Sequence, residues 1–208
     1  MVDQVFDEQK QQGRLVDAKG SPTRWQVFVV KKGAKWRPVV DLRPLNALMI
    51  EDAYPLPRQE DIIACINRKY SISLLDILSA YYRCRVHPSE WWKLAIVTHH
   101  GHEMFTVVPM SLSISVTHQQ KYMDKLLAKF RWKIASCFID DIIICSDTFE
   151  DHLRDLDDVL STLENAGLTF KPQKCLIRFH SVKVLGQIVD KYGLRTTKER
   201  AEAILNQK

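Results

Sequence analysis

At 208 residues, with 46% hydrophobic and 26% charged side chains, the chain can bury the core of one globular domain, or of a domain with a subdomain. No apolar run is long enough to cross a bilayer and none near Met1 resembles a secretory signal, so an intracellular protein without a membrane partner is expected. The five cysteines, Cys65, Cys84, Cys137, Cys145 and Cys175, show no CxxC spacing and argue against a disulfide framework or zinc site, while a net charge of +5 permits a polyanionic partner without demanding one.

In chain order, Asp3 to Gly20 reads as a polar helix followed by a loop. Gln26–Val30 and Trp36–Val40 read as strands joined by a basic turn, Lys31 to Lys35. The prolines hold Tyr54-Pro55-Leu56-Pro57 extended. Gln59–Asn67 carries Ile62, Ile63 and Ile66 at helical spacing. Tyr70, Ile72, Leu74 and Asp76 alternate along one face of a strand that ends in a carboxylate. Lys93–Val97 and Met104–Val108 are expected as strands joined through His99-His100-Gly101. Ser113–Phe130 reads as a helix with Val116, Met123, Leu126, Leu127 and Phe130 on one side.

Cys137-Phe138-Ile139-Asp140-Asp141-Ile142-Ile143-Ile144-Cys145 places two adjacent acids between short aromatic and β-branched runs, the pattern of a hairpin with carboxylates at its turn. Burying a carboxylate costs several kcal/mol unless it is paired, and adjacent acids repel. A hard cation such as Mg²⁺ answers both problems; a polar turn that happens to hold two acids is the simpler alternative. A helix from Thr148 to Asn165 follows, with Glu150 and Asp151 in its first turn, Gly167 past its end, and Leu153, Leu156, Leu160 and Leu163 as its expected buried stripe. Leu176–Val189 reads as a strand pair. Strands alternating with helices, several joined as hairpins, predict an α+β fold with helices on one face of the sheet.

If the strand ending at Asp76 neighbours the hairpin, Asp76, Asp140 and Asp141 converge. Two divalent ions held roughly 3.5–4 Å apart by such a cluster suit phosphoryl or nucleotidyl transfer, whose demands are positioning and charge neutralisation.

These residues resemble the reverse transcriptases of gypsy-type LTR retrotransposons and retroviruses, from about Trp25 to Glu202. Phe138-Ile139-Asp140-Asp141 is similar to that family's signature of an aromatic residue, any residue and two aspartates, and Leu75-Asp76-Ile77-Leu78-Ser79-Ala80-Tyr81 to its first catalytic motif. Lys35-Trp36-Arg37 with Val40-Asp41-Leu42-Arg43-Pro44-Leu45-Asn46 resembles its fingers motif. Tyr54-Pro55-Leu56-Pro57, Lys171-Pro172-Gln173-Lys174-Cys175 and Leu185-Gly186 follow in the family's order.

The resemblance implies a right-hand polymerase: an antiparallel palm sheet backed by helices, with a fingers subdomain. The chain would be a single reverse transcriptase domain, fingers at about 1–70 and 90–109 and palm at about 71–89 and 110–208, with no thumb, ribonuclease H or integrase. It implies an RNA-directed DNA polymerase, using a primed RNA or DNA template and deoxynucleoside triphosphates (dNTPs). Asp76 and Asp140 would bind two Mg²⁺ ions, with Mn²⁺ as a possible substitute, and Asp141 would support them. Lys32 and Arg37 would grip the triphosphate, a task suited to a point charge and a planar fork. Tyr81 would exclude a 2′-hydroxyl, Met110 would join the substrate-binding residues, and Lys171 or Lys174 would be the proton donor to pyrophosphate.

Two positions depart from the family pattern. Ser111 stands where glycine is usual in Val108-Pro109-Met110-Ser111-Leu112, and Ile114 where a polar residue is usual, so crowding of template and nucleotide is expected. A retroelement remnant that binds nucleic acid without chemistry is the competing expectation. An unrelated two-metal nuclease would explain the acids but not the fingers motifs.

Overall fold

The computed structural model describes residues 2–32, 35–67, 69–78, 80–98, 101–184, 187–190 and 193–196. In chain order these form α1 (Val2–Gln11), β1 (Leu15–Asp17), β2 (Trp25–Lys32), β3 (Lys35–Val40), α2 (Arg43–Asn46), α3 (Gln59–Ile66) and β4 (Ser71–Asp76). Then come β5 (Ala95–Thr98), β6 (Gly101–Phe105), α4 (Ser115–Leu126), β7 (Ala135–Phe138), β8 (Asp141–Ser146) and α5 (Phe149–Asn165). The last strands are β9 (Leu176–Phe179), β10 (Ser181–Val184), β11 (Gln187–Asp190) and β12 (Gly193–Thr196). Short 3₁₀ turns occupy Ala80–Arg83, Pro88–Leu94 and Pro172–Lys174.

The chain divides into two units. The first, Met1–Ala53 with Ser79–Gln119, carries a sheet of order β1-β6-β5-β2-β3, antiparallel except where β2 meets β5. Phe6, Leu15, Val40, Leu94, Ile96 and Phe105 form part of its core. The predicted loop after α1 contains a strand, because Leu15 to Asp17 pair with Phe105 to Glu103. Two other strands are displaced from expectation. Pro88 starts a 3₁₀ run that continues to Leu94, so β5 begins at Ala95, and Thr98 pairs with Gly101, which moves β6 ahead of Met104–Val108.

The second unit, Tyr54–Leu78 with Gln120–Lys208, holds a sheet of order β7-β8-β4-β9 and a smaller one of order β10-β11-β12. The predicted terminal strand pair is therefore divided. β9 joins β4, whereas β10 and β11 pair with each other. Flanked on both edges, β4 is buried on both faces at Ser71, Ile72, Ser73, Leu75 and Asp76 rather than on the alternate residues alone. Ile62, Ile63 and Ile66 of α3 pack with Ile72, Ile143, Val182 and Val189 as its core.

Helix α5 starts where capping predicts. Thr148 accepts the Asp151 backbone N–H at 3.1 Å, acids occupy the first turn, and Gly167 just beyond the end takes φ 70°. Its buried stripe keeps Leu163 of the expected leucines but adds His152 and Val159, while Leu156 and Leu160 are half-buried and Leu153 is 51% exposed. The reason is polar. His152 turns inward between Ser73 of β4 (2.7 Å) and Ser146 of β8 (3.1 Å), and this fixes which face of the helix meets the sheet.

Candidate nucleotidyl-transfer site

The predicted hairpin forms, and its register decides the site. β7 and β8 pair Phe138 with Asp141, leaving Ile139 and Asp140 as the turn, and β8 pairs with β4 so that Asp141 lies opposite Asp76. The Ile77 N–H donates to the Asp140 carbonyl at 3.1 Å, tying the turn to the end of β4. The three acids thus meet at one end of a sheet, although 64 residues or more separate Asp76 from the hairpin acids in the chain.

Lysines complete the cluster. In a 3₁₀ turn, residues three apart lie on the same side. Pro172–Lys174 is such a turn with Lys171 as its N-cap residue, so both lysines face one carboxylate. Lys171 Nζ donates to Asp76 Oδ1 at 2.6 Å, and Lys174 Nζ to Asp76 Oδ2 at 2.8 Å. The Lys171 N–H also donates to the Asp76 carbonyl at 3.0 Å, which fixes the turn against the strand end. The sequence pointed to one lysine or the other, and the structure gives both to Asp76.

The electrostatics are uneven. Burial pushes the Asp76 carboxyl up, but the two lysines outweigh it, and its pKa falls below the ordinary value. Lys174 is raised, first by its bond to Asp76. Asp141 is raised by desolvation of its carboxyl and by the charges of Asp140 and Asp76, although the residue as a whole is exposed. Neither Asp140 nor Asp141 has a hydrogen-bonded or ion-paired side-chain partner among the described residues.

A divalent cation fits this donor set in kind, since carboxylate oxygens are the ligands that Mg²⁺ prefers. Asp140 and Asp141 have no hydrogen-bonded or ion-paired side-chain partner among the described residues, and Asp76 is ion-paired to Lys171 and Lys174. Among the described residues no three acidic, histidine or cysteine side chains already form a ready cation pocket.

The other predicted site residues belong to the first unit. Lys32 pairs with Lys35, and Arg37 with Val30, in the β2–β3 ladder; the side chains of Lys32 and Arg37 lie outside the described residues, as do Leu185 and Gly186. Tyr81 is half-buried in the 3₁₀ turn after β4, and Met110 is 56% exposed. Ser111 has no positive φ, so serine meets no backbone penalty there. Its loop is held instead by Asn46, whose side chain donates to the Ser111 carbonyl and accepts from the Ser113 N–H, both at 2.9 Å. His102 bonds the Thr23 carbonyl at 2.9 Å, while His99 and His100 are outside the described residues.

Residues that the sequence did not single out also reach the hairpin. Gln120, fully buried, accepts the Ile139 N–H at 2.8 Å and donates to the Cys137 carbonyl at 3.0 Å. The signal available was Gln120 with Asp124, one helical turn apart on a face expected to be apolar.

The α+β fold of this chain, with carboxylates at the turn of an antiparallel hairpin, matches that of a retroviral reverse transcriptase. Foamy viral protease–reverse transcriptase in complex with double-stranded DNA matches all of this chain over 36% of its own, with TM-score 0.91 and 23% identity. The same protein with an RNA/DNA hybrid matches with TM-score 0.89 and 23% identity, covering 100% of this chain and 28% of that one. The chain belongs to the reverse transcriptase (RNA-dependent DNA polymerase) family, whose model matches residues 29–189. The Tf2-7 and Tf2-3 transposon polyproteins of Schizosaccharomyces pombe are each 32% identical over 182 residues, 88% of this chain. The chain spans 14% of the length of those relatives.

Proposed function

We propose that this chain is the polymerase domain of a retrotransposon, adding deoxynucleotides from dNTPs to a primer 3′-hydroxyl on an RNA or DNA template. The observation that carries the proposal is the β4–β8 register, which sets Asp76 opposite Asp141 with Asp140 at the adjoining turn. The β7-β8-β4-β9 sheet is then the palm and the β2–β3 ribbon part of the fingers.

Asp76 and Asp140 hold the divalent cations in this scheme, and Asp141 adds the negative charge that keeps the pair. Two Mg²⁺ ions held there would supply the positive charge that eases proton loss from the primer 3′-hydroxyl and the departure of pyrophosphate. Lys171 and Lys174 shield the buried Asp76 charge. Lys171 or Lys174 gives a proton to the departing pyrophosphate, and Lys174, with 62% of its side chain exposed against 32% for Lys171, is the more open of the two. Lys32 and Arg37 take the triphosphate, Met110 contacts the incoming nucleotide, and the Tyr81 ring packs under the sugar to reject a 2′-hydroxyl.

The test is single-nucleotide extension of a primed RNA template, wild type beside Asp140→Asn, with Mg²⁺ titrated and Mn²⁺ run in parallel. Extension by wild type alone supports the proposal. No extension, with primer–template still bound, refutes it in favour of a nucleic-acid-binding remnant.

A further inference from the structure

The turn that carries the acids has an unfavourable backbone. Ile139 takes φ 61°, in the left-handed region where a β-branched residue is a true outlier. Such outliers persist only where the surroundings over-determine them. Here the surroundings are a chain of buried hydrogen bonds that starts in another element.

Gln120 of α4 uses its whole amide. Oε1 accepts the Ile139 N–H at 2.8 Å, and Nε2 donates to the Cys137 carbonyl at 3.0 Å and to Asp124 Oδ1 at 2.9 Å. The orientation of the amide is fixed by these partners, because reversing it would set donor against donor and acceptor against acceptor. Asp124, 7% exposed, is fixed in turn. The Tyr54 hydroxyl donates to its Oδ2 at 2.6 Å, and Arg131 Nη2 lies 3.1 Å from the same oxygen. No member of this chain of contacts touches the reacting carboxylates, yet it ends on the backbone N–H of Ile139, the residue immediately before Asp140.

We infer that Gln120, steadied by Asp124, Tyr54 and Arg131, is a positioning residue that holds Ile139 in the left-handed region and so sets where Asp140 and Asp141 stand. This rests on the proposal above that those acids bind divalent cations. The extended Tyr54-Pro55-Leu56-Pro57 segment thereby gains a role its sequence did not show: its first residue anchors the support of the catalytic turn. Loss of partners one step removed from a metal site commonly costs about 10–100-fold in metal affinity or activity.

The experiment uses the full chain and the variants Gln120→Leu, Tyr54→Phe and Gln120→Leu with Ile139→Gly. It has three readouts: exchange of the Ile139 amide, affinity for Mn²⁺ alone by titration, and the Mg²⁺ dependence of nucleotide addition. Gln120→Leu is expected to speed exchange at Ile139 by roughly tenfold or more and to weaken Mn²⁺ binding about tenfold, with KM for primer–template unchanged. Tyr54→Phe, which leaves the Gln120 bonds in place and serves if Gln120→Leu fails to fold, is expected to shift Mn²⁺ affinity in the same direction by about two- to threefold. Glycine occupies a positive φ without support, so adding Ile139→Gly should recover a large part of the lost Mn²⁺ affinity.

Equal Mn²⁺ affinity in wild type and in the variants that fold, or no recovery with glycine, overturns the inference. Failure of the proposed function is distinguishable. A wild type that binds primer–template but extends nothing refutes the polymerase assignment, while amide exchange and Mn²⁺ affinity still decide the role of Gln120.

Discussion

Lys171→Met offers a sharp test of how Asp76 is kept charged. The substitution removes the 2.6 Å bond to Asp76 Oδ1 and a 3.3 Å contact with the Ile77 carbonyl, while Lys174 stays on Oδ2. A hydrogen bond to a charged group contributes about 1.5–3 kcal/mol. Solvent reaches 32% of the Lys171 side chain and Lys174 still offsets part of the charge, so about 1–1.5 kcal/mol is the expected loss. At about 2–4 °C per kcal/mol for a chain of this size, the melting temperature should fall by about 2–6 °C. Lys174→Met should cost no more than about 0.5 kcal/mol, because 62% of that side chain is exposed. The assay is a double-mutant cycle by urea unfolding at neutral pH without divalent ions. In an Asp76→Asn background the cost of Lys171→Met should shrink to a few tenths of a kcal/mol, giving a coupling of about 1 kcal/mol. An equal cost in both backgrounds would show that Lys171 does not act through the Asp76 charge and would refute the reasoning.

Burial, with a smaller push from Arg178, holds His152 below the ordinary histidine pKa against the pull of Asp155. Its stabilising contribution is therefore fully present above about pH 6.5 and is lost as pH falls from there toward the folded-state value. Urea unfolding between pH 7.5 and 5 should show that loss in wild type, and His152→Leu should flatten it. Asn46→Ala breaks both bonds to the Ser111–Ser113 loop and is expected to cost about 1–2 kcal/mol, measurable by chemical denaturation. Ser111→Gly should change stability by no more than about 1 kcal/mol, since no positive φ is relieved there. The same substitution should lower KM for dNTP if crowding at this position limits nucleotide fit; an unchanged KM in primer extension would count against that expectation.

Much of this protein was set by the sequence locally. The apolar flanks of Asp140 and Asp141 specify a hairpin because β-branched and aromatic residues favour a pleated, half-buried surface. Thr148 and Gly167 bound α5 because a side-chain acceptor and a left-handed residue satisfy the ends of a helix, whatever lies beyond it. The ordered motifs carried the family as well, since they record residue identities rather than contacts. Tertiary structure decided which strand lies beside the hairpin and in what register, and so that Asp76 meets Asp141. It also brought both Lys171 and Lys174 to Asp76, turned His152 inward where leucines were expected, and placed Gln120 under Ile139. Local periodicity reports only which face of an element is apolar. A polar side chain on that face becomes favourable only when a distant partner arrives to satisfy it, and that partner exists only after the strands have paired.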